Sequence, residues 1–297
     1  MSLATKALLA AAALVQLTGA IDLNDPLDGC PPAARAIADS QSVFNSTGET
    51  PFKLQQNQAN DWYLSLTFRD ERKSNVIYGV EQTRQTLGVI VSVPGDFPRS
   101  DAGKQTNLCI YRLQQQNGTA NEQASCSGLL SEECIKALNN VPAAKDGSCP
   151  VPDIGGACGD ATISGSTLKP LNFNNTLCAT NATIPDSNAV PDGYENYITF
   201  ASGELNETDS SKKSYTLYDE HILRPAPILI TGQVGGQSNS SSSSTQSKLF
   251  CLAPSKVIKG SRNAVVGAGG ATAATMLSTA KPVLLVSVLS SMMLAAL

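Results

Sequence analysis

The chain has one histidine, His221, in the run Asp219-Glu220-His221. On a strand, Asp219 and His221 would share a face. An imidazole oriented by a carboxylate is the base half of a Ser-His-Asp machine. The nucleophile half has no signature here, because no Gly-x-Ser-x-Gly turn occurs. His221 therefore reads as a polar residue near a strand end, and no catalytic residue is assigned. Carboxylates are the other source of acid–base chemistry. A glycosidase needs two of them about 5–10 Å apart, and with 25 acidic residues some such pair is expected anyway. Sugar sites also stack rings on Trp or Tyr, and the parity of the only tryptophan, Trp62, places it in a core. Asp153, Asp160 and Asp192 lack EF-hand spacing. The glycine runs at 232–236 and 267–270 are followed by no Gly-Lys-Ser or Gly-Lys-Thr. No metal site and no cofactor are expected.

The eight cysteines are Cys30, Cys109, Cys126, Cys134, Cys149, Cys158, Cys178 and Cys251. Zinc would want close C-x₂–₄-C pairs, and the tightest spacing is Cys126 to Cys134. An even count in an oxidising compartment implies four disulfides, with connectivity left open. Six Asn-x-Ser/Thr sequons open at Asn45, Asn117, Asn174, Asn181, Asn206 and Asn239. In a secreted chain each reads as an N-glycosylation site on the surface.

The two ends supply that compartment. A basic start at Lys6, an apolar run over 7–17 and small residues Thr18 and Ala20 make residues 1–20 a signal peptide. At the other end, residues 282–297 carry no charge. A weakly polar spacer at 272–281 precedes them, and before it come the small residues at 267–271. This is the pattern of a GPI attachment signal, with Gly269 or Gly267 as the attachment residue. The rival reading is a spanning helix, which needs about 20 apolar residues. The tail has sixteen residues, three of them Ser. Residues 21–255 then form the ectodomain, 256–269 the linker to the anchor site, and 270–297 the removed propeptide. Without Lys6 and Lys281 the balance is 19 basic against 25 acidic residues, and no basic run tracks phosphates. Nucleic acid is a poor partner for such a surface.

The elements that must carry these residues are mostly short strands. Trp62, Leu64, Leu66 and Phe68 alternate with Tyr63, Ser65 and Thr67, as in a half-buried strand. Residues 87–93 alternate likewise and end at Pro94-Gly95. Residues 75–80 form a further candidate strand, and 69–73 a hairpin turn or solvated face. More strands are expected at 108–113, 197–201, 214–218, 228–233 and 249–252, separated by turns such as Pro191-Asp192-Gly193. Helix is expected at 31–39, where it opens on prolines, and at 131–139, capped by Ser131 with Glu132 and Glu133 in its first turn. The result is a mainly β, sandwich-like antiparallel domain with two short helices and a disulfide-rich, glycosylated insertion over 126–186. The Ser-rich tract at 238–247 reads as an exposed loop open to O-glycosylation.

The two end signals, the sequons and the Ser tract together resemble the fungal GPI-anchored surface glycoproteins. That resemblance covers the ends and the composition. It implies the membrane, through the GPI lipid, and cell-wall glucan as partners, on the outer face of the plasma membrane or in the wall. Two readings of the ectodomain follow. The first is a non-enzymatic structural, adhesive or binding module. The alternative is a cell-wall polysaccharide hydrolase or transglycosidase using paired carboxylates.

Overall fold

The computed structural model describes residues 44–55, 58–71, 82–119, 124–145, 147–159, 161–166, 170–173, 179–180, 189–207, 215–235 and 246–265. The expected signal peptide, the helix expected at 31–39, the strand expected at 75–80, most of the Ser tract and the expected GPI signal lie outside them. So do Cys30, Cys178, Asn174, Asn181, Asn239, Gly267 and Gly269.

Two antiparallel sheets form the fold, as the alternating patterns implied. The strands are β1 (Ser46–Phe52), β2 (Trp62–Glu71), β3 (Gln82–Pro94), β4 (Asn107–Leu113), β5 (Ile163–Ser166), β6 (Leu171–Asn172), β7 (Ala179–Thr180), β8 (Tyr194–Glu207), β9 (Ala226–Gln233), β10 (Gln246–Leu252) and β11 (Lys256–Val257). The first sheet runs β11-β1-β2-β3-β8-β7. The second runs β10-β9-β4-β5, with β6 also paired to β4. Among the described residues three helices accompany them: α1 (Asp101–Lys104), α2 (Glu132–Asn139) and α3 (Thr216–Leu223).

The core follows from strand parity. Register pairs Leu66 with Val89, Leu64 with Val91 and Phe68 with Leu87. These side chains and Trp62 meet Leu108, Ile110, Ile228, Ile230, Phe250 and Leu252 of the second sheet. At Gly48 the facing backbone comes so close that a Cβ would lie 2.1 Å from the Ala253 carbonyl oxygen. Only glycine lets the sandwich close there.

The second sheet is buried on both faces. Cys109, Tyr111, Leu113 and Leu229 turn outward against Cys134, Leu138, Val141, Cys149 and Ile154 of the insertion. Burial on both faces explains why the sequences of β4 and β9 are nearly continuous apolar runs. Three disulfides fix the cover: Cys109–Cys149 ties it to β4, Cys134–Cys158 closes it internally, and Cys126–Cys251 joins its start to β10. α2 begins where expected, with the Ser131 hydroxyl accepting from the Cys134 amide at 3.1 Å.

Four expectations change. Ser65 and Thr67 are fully buried rather than solvated; the Thr67 hydroxyl donates to the Gly88 carbonyl, which offsets its desolvation. β2 continues through Glu71 and β3 starts at Gln82, so residues 69–71 belong to a strand and not to a turn. Residues 216–218 open helix α3 instead of a strand. Tyr218 and Ile222, four apart, are its buried face, a period that five residues of sequence cannot display. Finally, residues 256–265, expected as linker, are packed. β11 pairs with β1, Ile258 is buried and Ala264 rests on the core. The insertion, too, contributes to both sheets: β5 and β6 pair with β4, and β7 pairs with β8.

Candidate functional site

β3 ends at Pro94, and the chain turns through Gly95 and Asp96 into a single 3₁₀ turn, Phe97–Arg99. The turn before β8 meets it there. Pro94 pairs with Tyr194, and the Gly95 amide donates to the Gly193 carbonyl at 2.9 Å. Gly193 has φ +83°, the left-handed conformation that favours glycine. Between these two turns lies an open recess of about 550 Å³, lined by Asp96, Arg99, Asp192, Tyr194 and Glu195 among others.

The recess is acidic, but its groups are unequally free. Arg99 Nη2 reaches Glu195 Oε1 at 2.6 Å, while Nη1 donates to the Gly95 carbonyl. The Tyr197 hydroxyl donates to the other oxygen, Glu195 Oε2, at 3.0 Å. Glu195 thus has both carboxylate oxygens engaged, one by the Arg99 guanidinium and the other by the Tyr197 phenol. Burial, and then the hydrogen bond to Glu195, push the Tyr197 phenol above its ordinary value. Tyr194 packs edge-on against Tyr63, with ring centres 5.5 Å apart, and donates to the Asp61 carbonyl at 2.9 Å. Its pKa is raised by burial first, and then by Tyr63 and the acids nearby. The arrangement can hold a hydroxyl-rich ligand: carboxylates to accept, a guanidinium to donate and a tyrosine ring at the rim.

Burial also pushes the Tyr111 phenol up to about 12, and its hydroxyl donates to the Pro150 carbonyl at 2.7 Å. A phenol whose pKa is raised on folding binds its proton more tightly in the native state. Its stabilising contribution is complete below the unfolded value near 10 and is lost as pH rises from there through about 12. In an alkaline spectrophotometric titration Tyr111 and Tyr197 should ionise only with unfolding. Tyrosinate absorbance reaching its full amplitude near pH 10 without loss of the β circular-dichroism signal would contradict this.

The residues singled out by sequence lie elsewhere. His221 sits on α3, not on a strand, so its face is not that of Asp219. Its Nδ1 donates to Gln115 Oε1; the Gln115 amide nitrogen donates to the His221 and Arg224 carbonyls, which fixes the amide's orientation. The imidazole stacks on Phe68 with ring centres 5.8 Å apart. Asp219 is instead the centre of a clamp. Arg262 grips its carboxylate with both terminal nitrogens, Nη2 to Oδ2 at 3.1 Å, and the Val265 amide donates to Oδ1 at 3.1 Å. The guanidinium lies 4.3 Å over the Tyr215 ring, and the Tyr218 hydroxyl donates to the Arg262 carbonyl.

Of the three acids weighed for calcium, Asp192 lines the recess, Asp153 accepts from the Gly155 amide in its own turn, and Asp160 is outside the described residues. Among the described residues no three His, Cys, Asp or Glu side chains converge as metal ligands. Asn117 is exposed in the loop after β4, and Asn206 lies on β8. Asn45 is half-buried: its Oδ1 accepts from the Asp70 amide at 2.6 Å, and its Nδ2 donates to Ser261 Oγ at 3.4 Å.

Sequence reading did not single out Asp96, Arg99, Tyr194 or Glu195. The signals that could have found them were the turns Pro94-Gly95 and Pro191-Asp192-Gly193. Each ends or precedes a strand, but nothing local states that those two strands pair. The chain matches no protein-family model, no curated protein and no solved structure.

Proposed function

We propose that this is a secreted glycoprotein carried on the outer face of the plasma membrane by a GPI lipid, with a non-enzymatic structural, adhesive or binding ectodomain. The two end signals and the six sequons support the address. The observation that carries the ectodomain reading is its packing. One continuous core fills the space between the sheets, and the disulfide-tied insertion covers the second sheet's outer face. Function is then left to surface features, among them the open recess at Asp96, Asp192 and Tyr194. Its chemistry suits a hydroxylated polymer such as cell-wall glucan.

The recess also keeps the second reading, a polysaccharide hydrolase or transglycosidase, in play. Against it stands Glu195, whose two oxygens are already engaged by Arg99 and Tyr197. A carboxylate with both oxygens so engaged has neither left to face a glycosidic oxygen or a water as acid or base.

Phosphatidylinositol-specific phospholipase C should release the protein from intact cells once acyl modifications that block the enzyme are removed. Retention, with Leu297 still present by mass spectrometry, would replace the anchor with a spanning helix. A glycan array run beside a panel of wall-polymer hydrolysis assays tests the ectodomain. Binding without turnover is expected, reduced in Asp192→Asn. Turnover that falls a hundredfold or more in Asp96→Asn or Asp192→Asn would install the enzyme, since acid–base catalysis contributes about 10²–10⁴-fold.

A further inference from the structure

The Asp219–Arg262 clamp holds the chain immediately before the expected attachment residues. Val265, whose amide it binds, is two residues from Gly267 and four from Gly269. An extended chain spans at most about 3.6 Å per residue, so the attachment point lies within roughly 7 or 14 Å of a packed residue. A stalk would need tens of residues of free chain; here β11, Ile258, Arg262 and Ala264 are all tied to the domain.

The clamp end of the molecule also carries exposed apolar side chains. Three large hydrophobic residues are exposed among those described: Val151, Leu217 and Val265. Leu217 lies on α3 two residues before Asp219, and Val265 is the residue whose amide Asp219 binds. Two of the three thus belong to the segments that the clamp joins, α3 and the chain after Arg262. Exposed apolar groups close to a lipid attachment point gain by entering the headgroup boundary.

We infer that the α3 end of the ectodomain, presenting Leu217 and Val265, rests on the outer-leaflet lipid surface, and that the Asp219–Arg262 clamp holds it there in a fixed orientation. This rests on the GPI reading. The recess-bearing turns are at the other end of the first sheet. Phe68 packs on Tyr218 of α3, and Trp62, six residues away on the same strand, packs on Phe97 beside the recess. Strand rise of about 3.3 Å per residue separates them by about 20 Å. Seated on α3, the domain points its recess away from the bilayer.

The test uses the full anchored chain in liposomes with dansyl-headgroup lipid as energy acceptor. Trp62, the only tryptophan, reports the distal end, and Leu217→Trp or, separately, Val265→Trp adds a reporter at the proposed contact. Both new reporters should transfer at least about twofold more efficiently than Trp62. A 20-residue Gly/Ser insertion between Val265 and Val266, with a mean span of about 25 Å, should cut their transfer at least twofold. Asp219→Asn should lower it in the same direction. Equal transfer from all three positions, or no response to the insertion, would overturn the inference. Phospholipase C separates the two claims. If it fails to abolish transfer in the parent, the anchor reading falls; if it abolishes transfer while the insertion changes nothing, only the seating falls.

Discussion

Replacing Cys126 and Cys251 together by alanine should destabilise the domain by about 4–5 kcal/mol. The pair is separated by 125 residues in sequence. In the chain-entropy account, a loop of that length restricts the unfolded state by about 5 kcal/mol, against about 3 for the 24-residue separation of Cys134 and Cys158. The bridge also has a local task. The Cys251 amide donates to the Ala124 carbonyl at 2.7 Å, so the start of the insertion is laid along β10 at that point. Cys251 is fully buried, and its loss adds a small void. Thermal unfolding under non-reducing conditions should show a midpoint lowered by about 10–20 °C. The Cys134→Ala/Cys158→Ala pair should lose less. If the two double variants lose equally, loop length is not what governs stability here. Thiol labelling of the denatured, unreduced parent should find no free cysteine; two labelled residues would mean that Cys30 and Cys178 are not bridged.

Trp62→Ala should cost about 3–5 kcal/mol, the range for emptying a buried aromatic site. Trp62 is 1% exposed. Its ring packs edge-on against Phe52, Phe97 and Phe173 at 6.0, 4.9 and 5.8 Å, and Phe173 continues to Tyr197 at 4.8 Å. Trp62 thus ties β2 to β1, to the 3₁₀ turn and to the residue after β6, and Phe173 carries the chain of rings on to β8. Urea unfolding followed by far-ultraviolet circular dichroism measures the loss, because the variant has no tryptophan emission. Trp62→Phe should recover a substantial part of it. Phe97 is two residues before Arg99, and Tyr197 bonds Glu195. Trp62→Ala should therefore also weaken any glycan binding at the recess, beyond what unfolding removes. A variant that loses stability yet binds as the parent does would separate the core from the recess.

The strands that were legible are those with the main apolar core on one face or apolar packing on both. Trp62 to Phe68 alternates because a core lies on one side, and residues 87–93 do so for the same reason. Ser131 announced α2 because capping chemistry is local: a hydroxyl three residues before an amide. The features that escaped depend on partners distant in sequence. Ser65 and Thr67 look solvated until their strand is placed beside β3, where the Thr67 hydroxyl bonds the Gly88 carbonyl across the ladder. Asp219 looks like a partner for His221 until the backbone is helical and Arg262 arrives from 43 residues away. Residues 256–265 read as a linker because their packing is written mainly in β1 and α3. The recess is the extreme case: it is made by two turns almost a hundred residues apart, and neither alone has the makings of a site.

The first sheet ends in β11 and β7, strands of two residues each. Where β1 runs on beyond β11 it carries Pro51, which has no amide hydrogen to offer. On the second sheet, the Cys251 amide of β10 is already engaged by the Ala124 carbonyl, and the Ser247 hydroxyl holds the end of α2 beside the same strand through the Asn139 carbonyl. Open strand borders invite a neighbouring copy to zip on, and tethering to a surface raises the local concentration at which that happens. Where a border is shortened, interrupted or occupied in this way, a neighbouring copy finds fewer backbone groups to pair with.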